Sequence, residues 1–187
     1  MKRARRASLY ILGAAAIIFF GVGFIAEPQL LWLFPAMFGH EAAHALAARR
    51  VGIVVARFGI GMGPVVRHLG TIRGTAVVIS KWPVGAYVGM TRESHDNKTV
   101  AQRLYVSFAG VAFNTVLALL LDFAGLPLAA QMNWILAWFN IIPVLPLDGG
   151  VALSHVLPTK YHKRFAALSR PAIWVVSIVF VFASVVK

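Results

Sequence analysis

A chain of 187 residues holds one compact domain and not comfortably two. Hydrophobic residues make up 59% and charged residues 13%, against about 45–50% and about 25% in a soluble domain, so disorder is excluded and an ordinary soluble enzyme is disfavoured. Eighteen Lys and Arg against six Asp and Glu give a net charge of +12, and there is no cysteine, which removes disulfides, thiolate zinc sites and cysteine nucleophiles. The basic residues sit between long apolar runs, which fits a membrane protein with a basic cytoplasmic side better than a nucleic-acid partner.

In chain order, five segments are apolar enough to cross a bilayer, for which about 20 residues are needed. Leu9–Ala26 is 18 residues without a charge. It follows Lys2, Arg3, Arg5 and Arg6 and has two readings, a secretory signal or a retained anchor helix. The apolar run is long for a signal, and bulky Phe24 stands where a small residue is needed for cleavage, so the anchor is favoured. Pro28–Ala48 is 21 residues, interrupted only by His40, Glu41 and His44. Leu104–Leu121 is 18 uncharged residues, and Phe123–Leu147 is 25, with a fourth span expected at about 130–153. Pro171–Val186 is 16 residues, adequate with snorkelling at Arg170 and Lys187.

With the N-terminus in the cytoplasm, alternation puts every Lys and Arg except Lys187 on the cytoplasmic side. The stretch 54–90 differs. Gly59, Gly61, Gly63, Pro64, Gly70, Gly74, Pro83, Gly85 and Gly89 separate short β-prone runs such as Thr75–Ile79. It is too apolar for a free loop, and non-helical backbone at membrane depth needs protein or a wet cavity around it. The expected fold is a membrane all-α bundle of about five transmembrane helices (9–26, 28–48, 104–121, 130–153, 171–186) with a small membrane re-entrant β-hairpin or sheet at about 54–90. Residues 1–187 are read as one membrane-embedded domain.

His40-Glu41-Ala42-Ala43-His44 is an H-E-x-x-H motif. Residues i and i+4 share a helix face, so both imidazoles can reach one Zn2+ ion. Glu41 stands beside the ion without having to ligate it and can accept a proton from the attacking water. The three groups would be costly facing lipid and belong to an interior, functional site. For a third ligand, Ala47 and Arg50 stand where a metzincin needs glycine and histidine, and Glu93 lies in a polar stretch beside Ser94, His95 and Asp96. Asp148 closes an uncharged run that Pro143 and Pro146 break and Gly149-Gly150 loosen, which frees the carboxylate to be aimed. A plain helix cap is its other reading. With H-E-x-x-H present the ligand is favoured, with Glu93 and His155 left as alternatives. His68, His95, His155 and His162 occupy separate polar positions and read as solvated, with His155, two helical turns past Asp148, the exception to watch.

The stretches Phe38–Ala45, Phe58–Pro64, Trp82–Val88, Asn97–Arg103 with Ala109–Asn114, and Asn140–Gly150 together resemble the site-2 protease family of intramembrane zinc metallopeptidases, peptidase family M50. The resemblance runs from about Pro35 to Leu157 in the family's order. It implies a compact form without a PDZ domain, since only Asp122–Ala130 separates the third and fourth spans. It further implies a zinc metalloprotease of the prokaryotic cell membrane that cuts within or near transmembrane segments of single-span membrane proteins. His40, His44 and Asp148 would bind Zn2+, and Glu41 would be catalytic. Asn114 would hold substrate or oxyanion, or else make an interhelical hydrogen bond; Asn140 would be substrate-facing or a cap at the helix break. Val111 replaces the family's proline after Gly110 and is expected to straighten that helix. The competing readings are a non-catalytic zinc-binding membrane scaffold or holdase, and a transporter in which the broken fourth helix lines an ion path.

Overall fold

The computed structural model describes residues 31–185. The first expected span, 9–26, lies outside the described residues, as do residue 186 and the first three residues of the second span.

Small and polar residues recur along one side of the second span: Ala36, His40, His44, Ala47 and Ala48. They are the buried residues of α1 (Leu33–Arg50). The helix stops at Gly52, whose φ of +73° lets the chain turn back. The Gly52 amide donates to the Arg49 carbonyl, and the Ile53 amide to the Ala48 carbonyl at 2.8 Å, the paired closure of a Schellman end. Arg49 and Arg50 lie in the last turn, where cations oppose the helix dipole.

The glycine-rich stretch forms β1 (Val55–Ile72) and β2 (Thr75–Met90). Arg73 and Gly74, with φ of 48° and 80°, make the two-residue turn between them, of the kind whose twist matches paired strands. From that turn the strands pair antiparallel, Ile72 with Thr75 through Val65 with Ser80. The strands then bend, and Arg57–Ile60 acquire two sets of neighbours. Gly89 back to Ala86 run antiparallel to them, and Ala76 to Ile79 run in step with them. The sheet is thus folded across itself, within the 54–90 boundaries expected. Arg49 fastens it to α1 by donating to the Thr75 hydroxyl at 2.7 Å, and Thr75 donates to the Val55 carbonyl at 2.6 Å. Ala47, Ala48, Ile53, Val55 and Val106 form the core where sheet and helices meet.

A short α2 (Arg92–Asp96) leads into α3 (Val100–Phe123). Thr99 and Gln102 form a capping box at its start, which contributes on the order of 1 kcal/mol. The buried residues of α3, from Val106 and Ser107 through Gly110, Val111 and Asn114 to Ala118, form one stripe of mostly small side chains. α3 packs through them against α1, α4 and α5. Val111 sits in an unbroken helix.

The expected fourth span, 130–153, is not one helix. It divides into α4 (Pro127–Asn140) and α5 (Asp148–Val156), joined by a non-helical linker. Pro143 and Pro146 lack the amide a helix needs there, so the chain leaves the helix at Asn140 and resumes at Asp148. α4 has 14 residues and is about 21 Å long, short of the about 30 Å of a hydrocarbon core. α6 (Thr159–Val185) begins well before the expected 171 and carries Pro171 inside it. Among the described residues, α3 alone is long and apolar enough over an 18-residue window to cross a membrane. The architecture is mostly helical with a small sheet.

Candidate metal centre

The H-E-x-x-H spacing puts His40 and His44 on the buried face of α1, their rings 4.7 Å apart and edge to face. Each ring is fixed from behind by its Nδ1. His40 Nδ1 donates to Asn114 Oδ1 at 2.5 Å, and His44 Nδ1 donates to the Val106 carbonyl at 2.7 Å, both acceptors on α3. With Nδ1 protonated, the lone pair of each ring lies on Nε2. The two Nε2 atoms turn toward each other, 3.1 Å apart.

Asp148 completes the group. Its Oδ2 lies 2.9 Å from His40 Nε2 and 3.2 Å from His44 Nε2. The helix α5 starts at Asp148, but Leu147 occupies the cap position and no side chain caps the amides. The carboxylate is turned to the histidines instead. Gly149 makes this approach possible, since a Cβ there would lie 2.0 Å from the Ile141 carbonyl oxygen. Gly149 and Gly150 are both buried, so they act through close packing rather than by loosening the chain.

Three ligand atoms within 4.8 Å of one another, two imidazole nitrogens and one carboxylate oxygen, suit a divalent ion. Among the described residues this is the group of three that can hold a metal; neither Glu93 nor His155 belongs to it. Gly110 of α3 faces the same point. A Cβ built on it would lie 2.5 Å from the Nε2 of both histidines.

Glu41 sits beside the group without joining it and lines a cavity with His44, Asp148, Val88, Val106 and Ser107. Its carboxyl is within reach of the Val88 backbone on β2, so the sheet supplies one wall. Asn114 is 0% exposed. Its amide nitrogen donates to the Ala36 carbonyl at 3.1 Å and to Asn133 Oδ1 at 2.8 Å, so both donors go to protein acceptors. Asn140 donates to the Leu136 carbonyl one turn back, at 3.0 Å, at the end of α4.

Sequence reasoning passed over Asn133, the Val106 carbonyl and the contact role of Gly110. Asn133 had a signal, as a lone amide in the uncharged run that needs a partner when buried. The carbonyl had none, because it is backbone. His95 and Arg103 also line the cavity, with His155, although His95 and His155 are far from the motif in sequence.

Comparison with known proteins places the chain in a family. Residues 29–129, more than half of the chain, match peptidase family M50. A zinc metalloprotease of Pasteurella multocida is 38% identical over 96 residues, 45% of this chain and 22% of that protein. The regulator of sigma-E protease of Escherichia coli is 30% identical over 129 residues, 63% of this chain and 26% of that protein. A zinc metalloprotease of Campylobacter jejuni is 29% identical over 126 residues, 60% of this chain and 33% of that protein. Each match spans a third or less of the relative's length. With the histidine pair, the neighbouring glutamate and the matched segment in one helical core, the chain belongs to peptidase family M50.

Proposed function

We propose that the chain is an intramembrane zinc metalloendopeptidase that hydrolyses peptide bonds within or near the transmembrane segments of single-span membrane proteins. The observation that carries this reading is the convergence of His40, His44 and Asp148 on one point, with Glu41 in the cavity that His44 and Asp148 line. A metal scaffold needs the three ligands but has no use for that glutamate, which is what argues against the scaffold alternative.

Membrane embedding is supported by the outward faces of the helices. Val116, Leu119, Leu120 and Phe123 of α3 are exposed, as are Trp138, Trp174 and Val175. Single exposed apolar residues are ordinary, but rows of them on helices suit lipid. We read the chain as crossing the bilayer with its N-terminus in the cytoplasm, on the Lys and Arg distribution. The names of the sigma-E regulators support a role in regulated intramembrane proteolysis.

His40, His44 and Asp148 would hold the zinc, which when bound supplies Lewis-acid polarisation of the scissile carbonyl and makes a water a nucleophile near pH 7. Glu41 accepts the proton of that water as its oxygen bonds to the carbonyl carbon. It then gives the proton to the amine as the C–N bond breaks. The bent sheet offers an edge to which a locally unwound substrate can add as a strand. Asn114 acts as a positioning residue that holds the His40 ring. Asn140 closes α4 where the chain breaks. Asn114→Ala is expected to weaken zinc binding about 10–100-fold, the usual cost of losing such a support, measured by chelator competition; unchanged affinity would remove this role.

The reading is tested by zinc content and by cleavage of synthetic single-span peptides, wild type beside Asp148→Ala. Wild type is expected to hold about one zinc per chain and to cleave, with both lost or sharply weakened in the variant. Zinc without cleavage, in well-folded wild type, would favour the scaffold. Zinc held equally by Asp148→Ala would remove Asp148 from the ligand set.

A further inference from the structure

The cavity at Glu41, His44 and Asp148 has a second polar region that the reaction above does not use. Its volume is about 160 Å³, room for several waters or a carboxylate-bearing side chain. Besides the metal group it is lined by His95 of α2, Arg103 of α3 and His155 of α5. Arg103 Nε and His155 Nε2 are shut off from solvent, and neither has a hydrogen-bond partner. Buried polar atoms left this way are costly unless a water or ligand meets them.

The cavity carries both signs of charge, with Glu41 and Asp148 of the catalytic group and Arg103 beside the two imidazoles. The His95 and His155 rings lie 5.2 Å apart. Burial first, and then the positive charges of His95, Arg103 and His162, push the His155 pKa down to about 4. Asp96 bonds His95 Nδ1 at 3.1 Å, but its side chain is largely exposed. A second metal ion does not suit this place, because the guanidinium charge is permanent and the imidazoles number two. A carboxylate suits it, since the planar fork of Arg matches its two oxygens.

We propose that Arg103, His95 and His155 form a subsite for a carboxylate carried by the substrate on the cytoplasm-facing side of the scissile bond. The carboxylate is an acidic side chain or the free end of the substrate chain. An ion held by His40, His44 and Asp148 would offset the charges of Asp148 and Glu41, so an entering anion would meet no net negative wall. A carboxylate seated there fixes which peptide bond lies over Glu41. The subsite rests on the protease reading for its substrate.

Binding is measured with zinc-loaded Glu41→Gln protein, so that it is read without turnover. The probes are synthetic single-span peptides in which Glu is walked through the cytoplasmic flank, with Gln at the same place as reference. Each is made with a free and an amidated C-terminus. In one register the Glu peptide is expected to bind about tenfold more tightly than its Gln partner, as charge-assisted hydrogen bonds allow. That ratio should fall to near one in Arg103→Gln and be partly kept in Arg103→Lys. A gain that follows the free C-terminus instead, and is lost in Arg103→Gln, assigns the chain end as the source. Equal binding in every register with no effect of amidation overturns the subsite, as does a preference that survives Arg103→Gln. Failure of the protease reading shows separately, as wild-type protein that cleaves none of the peptides, the Gln series included.

Discussion

Glu41→Gln protein is expected to keep its zinc and lose its turnover. Gln fills nearly the same volume and leaves His40, His44 and Asp148 in place, so metal content and thermal stability should match wild type. What it cannot do is accept a proton from water and return it to the leaving amine. Losing a positioned acid–base group costs about 10²–10⁴-fold, and here both transfers use the same carboxyl, so the loss belongs at the upper end. Zinc content by elemental analysis, beside cleavage of a single-span peptide, reads both halves. Cleavage persisting within tenfold of wild type would take the proton transfers away from Glu41. Loss of zinc in the variant would make Glu41 a ligand instead.

Gly110→Ala is expected to empty the metal group without touching a ligand. The added methyl carbon would lie 2.5 Å from both Nε2 atoms, inside van der Waals contact. Zinc needs its own place about 2.0–2.1 Å from the same two atoms. The methyl and the ion compete for one space, and the group is held by α3 on one side and α1 on the other. Zinc affinity should fall more than about 100-fold, beyond the loss of an outer hydrogen bond. Helix propensity improves with Ala, so a folded, metal-poor protein is the expected product. Wild-type affinity in the variant would mean that α1 and α3 part more easily than their packing implies.

The sequence legibility of this fold followed from how local each signal is. His40 and His44 lie one turn apart on one helix, so spacing alone put them on one face, with Glu41 beside them. Asp148 was reachable because Pro143 and Pro146 mark a break, and a carboxylate at a break in an apolar run needs a reason. The same prolines show where the reading of spans went too far. An uncharged run of 25 residues looks like one helix to a hydropathy window, yet it holds α4 and the non-helical linker that leads to α5. The hairpin was legible from glycines and β-prone runs. Its fold-back was not, because the second set of partners for Arg57–Ile60 depends on a bend that the strand pattern does not encode. Nor was the support of the histidines, since one acceptor is the backbone of Val106 and the other depends on α3 lying against α1.

The ligand set also has a topological side. His44 and Asp148 are 104 positions apart, and the whole sheet together with α2, α3 and α4 lies between them. An ion held by both ends closes that length of chain into a ring, as a long-range disulfide would in a protein with cysteines. Tying distant points removes much of the freedom of the unfolded chain. The tether bears most on α5, a nine-residue helix reached through a non-helical linker. The ion that serves the chemistry would therefore also be the clasp that keeps the last ligand within reach.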